Sequence, residues 1–315
     1  MLPFSSAVPA LGALFVALSM LGATQAPFPL AMGAVMLLAG PHNWMEIRYF
    51  LTHMPAHWGP QRAWFTTALG GVAVLATSSW TVQWIGGQLE SDDTFWRNAE
   101  AAWMTALLLW MALLAHMRGN RWTVPVAVAG SLVVWALPLP WDLLLIYLHP
   151  LVALAYLERD LRRYPAWRTL LRAFIGTLPL LAAVVWWGAA GPPPPIDTPM
   201  LDRVAGLAGA WLLPDVSPRQ LVALYVFLQL LHYGAWIVAL PLLRFKEPPW
   251  RLRRVPLHRR FPLAVVVVVS LGAALTTAFW CGFLLYPAAT WDLYFQLAIV
   301  HMLVEFPFLI RKYPT

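Results

Sequence analysis

Apolar runs of eighteen or more residues recur along the whole of this sequence, and nothing else in it limits the fold so strongly. At 1.5 Å per residue, each run is long enough to cross the ~30 Å hydrocarbon layer of a bilayer as a helix. A water-soluble fold could not hide them: 60% of the residues are hydrophobic and 11% are charged, against roughly 25% charged in an average soluble domain. Lipid offers no partner to an open peptide group, so runs of this length read as helices. The expectation is an all-α, polytopic transmembrane helix bundle, a single domain over residues 1–315. Its ten helices are placed at 8–25, 29–54, 63–87, 94–117, 122–139, 142–158, 167–189, 219–244, 261–286 and 291–311. The segment Ala-Thr-Gln-Ala at 23–26 resembles a signal-peptidase site, but no Lys or Arg precedes the first apolar run, so that run is read as a retained helix. The 19 Trp and nine Tyr suit the headgroup level, where amphipathic rings are favoured.

Charge sets the orientation. If the second helix runs inward, the cytoplasmic face receives Arg62, Arg118, Arg121, the clusters at 159–172 and 244–260, Arg311 and Lys312, which is seventeen of the 21 basic residues. The other face receives Arg97, Arg203 and Arg219 together with nine acids, among them Glu90, Asp92, Asp93, Glu100 and Asp142. This asymmetry places both termini in the cytoplasm and the chain in a membrane of the bacterial cytoplasmic (inner) type. The formal charge of +7 does not point to nucleic acid, because the basic residues are dispersed in short loops beside an anionic leaflet. The one long outer connection, 191–218, contains Pro192 to Pro195 and an apolar stretch from Val204 to Leu213 that suits a short interfacial helix. Trp141-Asp142-Leu143 and Trp291-Asp292-Leu293 each read as a helix start. The single cysteine, Cys281, lies in an apolar run and is read as packing.

The eight histidines divide into two sets of four. His53, His57, His116 and His258 fall at cytoplasmic helix ends or in basic loops, where solvation explains them. His42, His149, His232 and His301 fall inside spans, where a polar ring needs a partner to offset its desolvation. Those four stand on the second, sixth, eighth and tenth helices, which all run in one direction. Counted from the outer ends, their depths differ by about 9 Å at 1.5 Å per residue, within the error of the helix boundaries. One layer near mid-membrane can therefore hold all four, and imidazole is a common ligand for iron, zinc and copper. His42 and His301 are each followed four residues later by a carboxylate, Glu46 and Glu305, on the same helical face. Accepting the second ring N–H of a ligating histidine is a standard duty for such an acid. A single cysteine excludes thiolate zinc, and one histidine per helix argues against two haems held across a helix pair. Four imidazoles with an open position favour Fe(II), with copper and zinc as the alternatives.

Gly40-Pro41-His42-Asn43-Trp44-Met45-Glu46 resembles the Gly-x-Pro-His-Gly-x-x-Asp segment of the Brp/Blh family of membrane β-carotene 15,15′-dioxygenases. Leu231-His232-Tyr233-Gly234 is similar to a His-Phe-Gly segment of that family, and His149-Pro150 has a counterpart there. This chain carries Asn43 in place of Gly and Glu46 in place of Asp, and Trp236 and Ile237 stand where an acid is expected. The resemblance implies a multi-helix membrane fold, one iron held by His42, His149, His232 and His301, and cleavage of a carotenoid by O₂ to give retinal. On either ground the first expectation is an iron oxygenase acting on a lipid-soluble substrate, with Trp44, Tyr147, Tyr233, Trp236 and Tyr294 as pocket walls. A second is a proton-coupled transporter in which the His/Glu pairs form a midplane relay, although no inverted repeat supports it. A third is a scaffold whose histidines only join helices.

Overall fold

A computed structural model of the chain describes residues 7–89, 92–137, 139–192, 198–244, 252 and 255–311. Glu90, Pro193 to Pro195, Asp197 (another of the nine acids), Lys246, Arg251, Arg253 and Arg254 of the second basic cluster, and Lys312 lie outside the described residues. The fold is all-helical, with α1 (Ala7–Gln25), α2 (Pro27–His53), α3 (Arg62–Gln88), α4 (Asp93–His116), α5 (Thr123–Ala136) and α6 (Trp141–Asp160) in its first half. They are followed by α7 (Pro165–Gly188), α8 (Pro199–Leu207), α9 (Pro218–Gly234), a π-helical turn (Ala235–Ala239), α10 (Leu240–Arg244), α11 (Pro262–Leu285) and α12 (Pro287–Ile310). Proline opens six of these helices, at Pro27, Pro165, Pro199, Pro218, Pro262 and Pro287. At a first helical position the missing N–H costs nothing and the ring presets φ.

Every expected span has a helix, and eight are long and apolar enough to cross a membrane on those grounds alone, which makes this an integral membrane protein. The other two are α2 and α5. The 27 residues of α2 include His42, Asn43, Glu46 and Arg48, which dilute its apolar character. The 14 residues of α5 reach only about 21 Å. It stops before the expected residue 139 because Leu137, which precedes Pro138, is extended (φ −108°, ψ 121°), as the residue before a proline prefers to be. The 191–218 connection does carry a short helix, but at α8, which starts five residues ahead of the expected apolar stretch. Thr198 caps it, accepting from the Leu201 N–H at 3.3 Å, and it ends before Gly209, whose φ is +93°. Trp291-Asp292 does not open the last helix; Pro287 does, and Trp291 is buried inside it.

Contacts divide the chain into two compact units. The first comprises Met1–Arg48, Ile146–Arg251 and Val268–Ala288, and the second Tyr49–Leu145, Leu252–Val267 and Ala289–Thr315. In the second unit α3 and α4 are fastened antiparallel by three indole N–H groups. Trp64 donates to the Leu114 carbonyl, Trp110 to Thr67 and Trp103 to Leu75, at 3.1, 3.1 and 2.9 Å. The three pairs share one antiparallel register. A cross-helix hydrogen bond in a membrane averages only about 0.6 kcal/mol, so these bonds fix register while the packing of Trp64, Phe65, Leu75, Leu107 and Leu114 holds the pair together. Gly71 admits the Trp110 ring, since a Cβ there would lie 1.9 Å from its Nε1. Tryptophan therefore does more here than mark the membrane surface: Trp80 and Trp141 also donate to backbone carbonyls, those of Gln296 and Val134.

In the first unit α9 is the buried axis. Of its most apolar stretch 78% is buried, against 11% for α1 and for α11, whose outer faces are left to lipid. It packs against α1, α7 and α8. Arg219 and Gln220, in its first turn, donate to the carbonyls of Thr24 on α1 and Trp186 on α7 at 3.0 and 3.1 Å. Where α6 turns into α7, Glu158 accepts from both Arg168 and Arg172 at 2.7 Å.

Candidate metal centre

Three of the four membrane histidines stand in the first unit, each beside an interruption of ordinary helix. Pro41 precedes His42 inside α2, and Pro150 follows His149 inside α6. Neither proline can donate to the carbonyl four residues back, so each helix is locally loosened at its histidine. His232 is near the end of α9, followed at once by the π turn, in which the Leu240 N–H reaches back five residues to Ala235. Single π turns recur at functional sites because the wider turn re-aims the side chains around it.

Beside these interruptions the His232 ring is neighbour to each of the other two. The His42 and His232 ring centroids are 5.2 Å apart with an interplanar angle of 73°, and those of His149 and His232 are 4.7 Å apart at 48°. In each pair one ring nitrogen of either residue lies within 4.8 Å of one on the other. His42 and His232 are fully buried and His149 is 7% exposed. Each pairwise spacing is one that two ligands of a single ion adopt. With metal–nitrogen bonds of about 2.1 Å, each ring centroid sits about 3.2 Å from the ion, and two ligands about 90–110° apart then have centroids about 4.5–5.3 Å apart. Both observed separations fall in that interval.

Neighbouring groups set the rings. The Nδ1 of His232 is 3.4 Å from the Pro150 carbonyl. A carbonyl can only accept, so this contact favours the tautomer with the proton on Nδ1, which leaves on Nε2 the lone pair a metal requires. The Tyr233 ring lies against His42 with centroids 4.6 Å apart, tilted 45°. Glu46, 1% exposed, stands one turn beyond His42 on the same face of α2. Behind that face α2 is seated on α11: the Trp44 Nε1 lies 3.4 Å from the Val269 carbonyl, and a Cβ on Gly272 would meet the Trp44 ring at 3.2 Å.

The remaining expected residues are placed as follows. Tyr147 donates its hydroxyl proton to the Ala208 and Leu221 carbonyls, at 2.9 and 3.1 Å, and so pins α6 to the start of α9. Tyr147→Phe is expected to lower stability by about 1 kcal/mol, read as the thermal midpoint in detergent, with metal content unchanged. Trp236 is buried in the π turn with its ring 5.2 Å from that of Tyr156. His301, Glu305 and Tyr294 stand on α12 in the second unit, where Glu305 is fully buried, Tyr294 is 2% exposed and His301 is partly buried. Of the other four histidines, His53 has Nδ1 2.7 Å from the Tyr49 carbonyl of its own helix. His57 is exposed and accepts from Arg260 at 2.8 Å, His116 is exposed at the end of α4, and His258 lies in a 3-10 turn.

Two contributors were missed by sequence reasoning. The Pro150 carbonyl acts through its backbone and has no residue signature. The seat on α11 does have one, Gly272 and Thr276 four residues apart, the small-residue spacing of close helix contacts. Compared with protein-family models, curated proteins and solved structures, the chain matches none, so its function has to be argued from these side chains.

Proposed function

We propose that this protein is a membrane-embedded oxygenase that holds one transition-metal ion, Fe(II) by preference, and acts on a long hydrophobic substrate of carotenoid or isoprenoid kind. The observation that carries the reading is the packing of three buried imidazoles, from three separate helices, at the spacing two ligands of one ion adopt. In this reading His42, His149 and His232 are ligands, and His301 is the fourth on the sequence argument given above. An iron(II) ion held there supplies the redox chemistry that O₂ requires. The protein supplies the rest. The Pro150 carbonyl holds His232 in the tautomer that presents Nε2, and Tyr233 backs the His42 ring. Full burial of His42 and His232 keeps bulk water away. The resemblance of residues 40–46 and 231–234 to carotenoid-cleaving enzymes supports the substrate class, and the charge asymmetry supports cytoplasmic termini in an inner membrane.

Elemental analysis of protein purified in detergent without chelators tests the reading. Near-stoichiometric iron is expected. Protein that neither carries nor takes up Fe(II), Cu(II) or Zn(II) overturns it in favour of a His/Glu relay. Co-expression with a carotenoid pathway then tests the substrate class, with loss of colour as the expected result.

A further inference from the structure

His232 shares its helix with a buried carboxamide that no contact among the described residues explains. Gln229 lies on α9 one turn before His232 and is 8% exposed. At 3.6 residues per turn it projects about 60° from His232 and about 40° from Tyr233, in the sector between them. Both of those rings lie against His42, with centroids 5.2 and 4.6 Å from its own. Gln229 therefore faces the side of α9 on which His42 stands. Helical side chains lean toward the N-terminus, so the His232 and Tyr233 rings are inclined toward the turn that carries it. Among the described residues its carboxamide has no hydrogen-bond partner, whereas Gln220 on the same helix donates to the Trp186 carbonyl at 3.1 Å. Leu228 and Leu230 on either side of it are buried and apolar. An amide left unpaired in such surroundings is costly.

We propose that the Gln229 carboxamide binds a small polar ligand, a water molecule or a small anion, held beside His42 and His232. A carboxamide suits that place. Its N–H groups donate to an anion, its carbonyl accepts from water, and it brings no charge of its own into the hydrocarbon. Its role is to position that ligand against the histidines, and it takes no part in holding the metal. The inference rests on the proposed metal centre, whose open position receives the same ligand.

The probe is azide, titrated into detergent-purified protein loaded with Cu(II), a metal that imidazole sites take up readily. Affinity is read from the azide-to-copper absorption band, and the hydrogen bond from the infrared stretch of the bound azide. Gln229→Met keeps the length of the side chain and removes the amide. It is expected to shift the stretch and to weaken azide binding about two- to tenfold, the effect of one hydrogen bond, with copper content unchanged. A stretch and an affinity equal to the parent's overturn the proposal, as does parent protein that holds copper but binds no azide. A folded Gln229→Met that no longer holds copper also overturns it, because the amide then serves the metal and not a second ligand. If Gln229→Met fails to fold, judged by its size-exclusion profile, Gln229→Asn decides. Withdrawing the amide by one methylene is expected to shift the stretch in the same sense, and an unchanged stretch overturns the proposal. Failure of the metal reading is recognised separately, before any azide is added, as parent protein that takes up no copper, and the proposal falls with it.

Discussion

Replacing His232 by Ala is expected to abolish bound metal, and His42→Ala, His149→Ala and His301→Ala to do the same, whereas His53→Ala, His57→Ala, His116→Ala and His258→Ala are expected to leave it unchanged. His232 is the shared neighbour, with its ring 5.2 Å from that of His42 and 4.7 Å from that of His149. In the proposed site its removal would delete the ligand that stands beside both of the others. The second set has other work: His53 binds its own helix backbone and His57 accepts from Arg260. Truncating a fully buried ring also leaves a cavity, so each variant is compared with its His→Gln counterpart and checked for folding by size-exclusion profile. Glu46→Gln and Glu305→Gln are expected to weaken metal binding without abolishing it, by about 10- to 100-fold, the usual effect of altering a group that orients a ligand. Metal content that stays constant across the first set sinks the site.

How much of this was legible in the sequence depends on the kind of force involved. Spans are dictated by hydrophobic length, a property of consecutive residues, and the ten expected ranges fall on ten helices. Misplaced ends came from proline and cap chemistry overlooked at single residues. Thr198-Pro199 starts α8 and Pro287 starts α12, while Pro138 cuts α5 short. That His42, His149, His232 and His301 can share one layer follows from depth, which sequence supplies through helix counting, and of these the rings of His42 and His149 each stand beside that of His232. Which way each ring faces was not inferred, because that depends on Pro41, Pro150 and the π turn after Gly234, whose five-residue reach has no residue signature. Tryptophan was read as an interfacial residue. The N–H donations of Trp64, Trp103 and Trp110 to α3 and α4 carbonyls depend on which helices become neighbours, a long-range fact.

The seat of α2 on α11 yields a second large effect, separate from any ligand. Gly40 stands two residues before His42, and a Cβ there would lie 2.7 Å from Thr276 Cγ2 and 3.2 Å from Thr276 Cα. The methyl cannot rotate aside cheaply, because Thr276 Oγ1 donates to the Gly272 carbonyl at 2.9 Å and so fixes the rotamer. Gly40→Ala is therefore expected to destabilise by about 1–3 kcal/mol through overpacking, and to lower metal content because α2 shifts with His42 on it. A helix-propensity gain of up to about 1 kcal/mol works against this loss, and Gly33→Ala measures it on the same helix, since nothing lies within 4 Å of a Cβ there. That variant should be neutral or slightly stabilised and keep its metal. Thr276→Ser removes Cγ2 but keeps the hydroxyl bond, so combining it with Gly40→Ala should restore most of the lost thermal midpoint and metal. Coupling of this kind is expected of residues in contact and absent between independent ones. If the two substitutions simply add, the glycine is not there to admit Thr276, and the position of His42 does not depend on how closely α2 approaches α11.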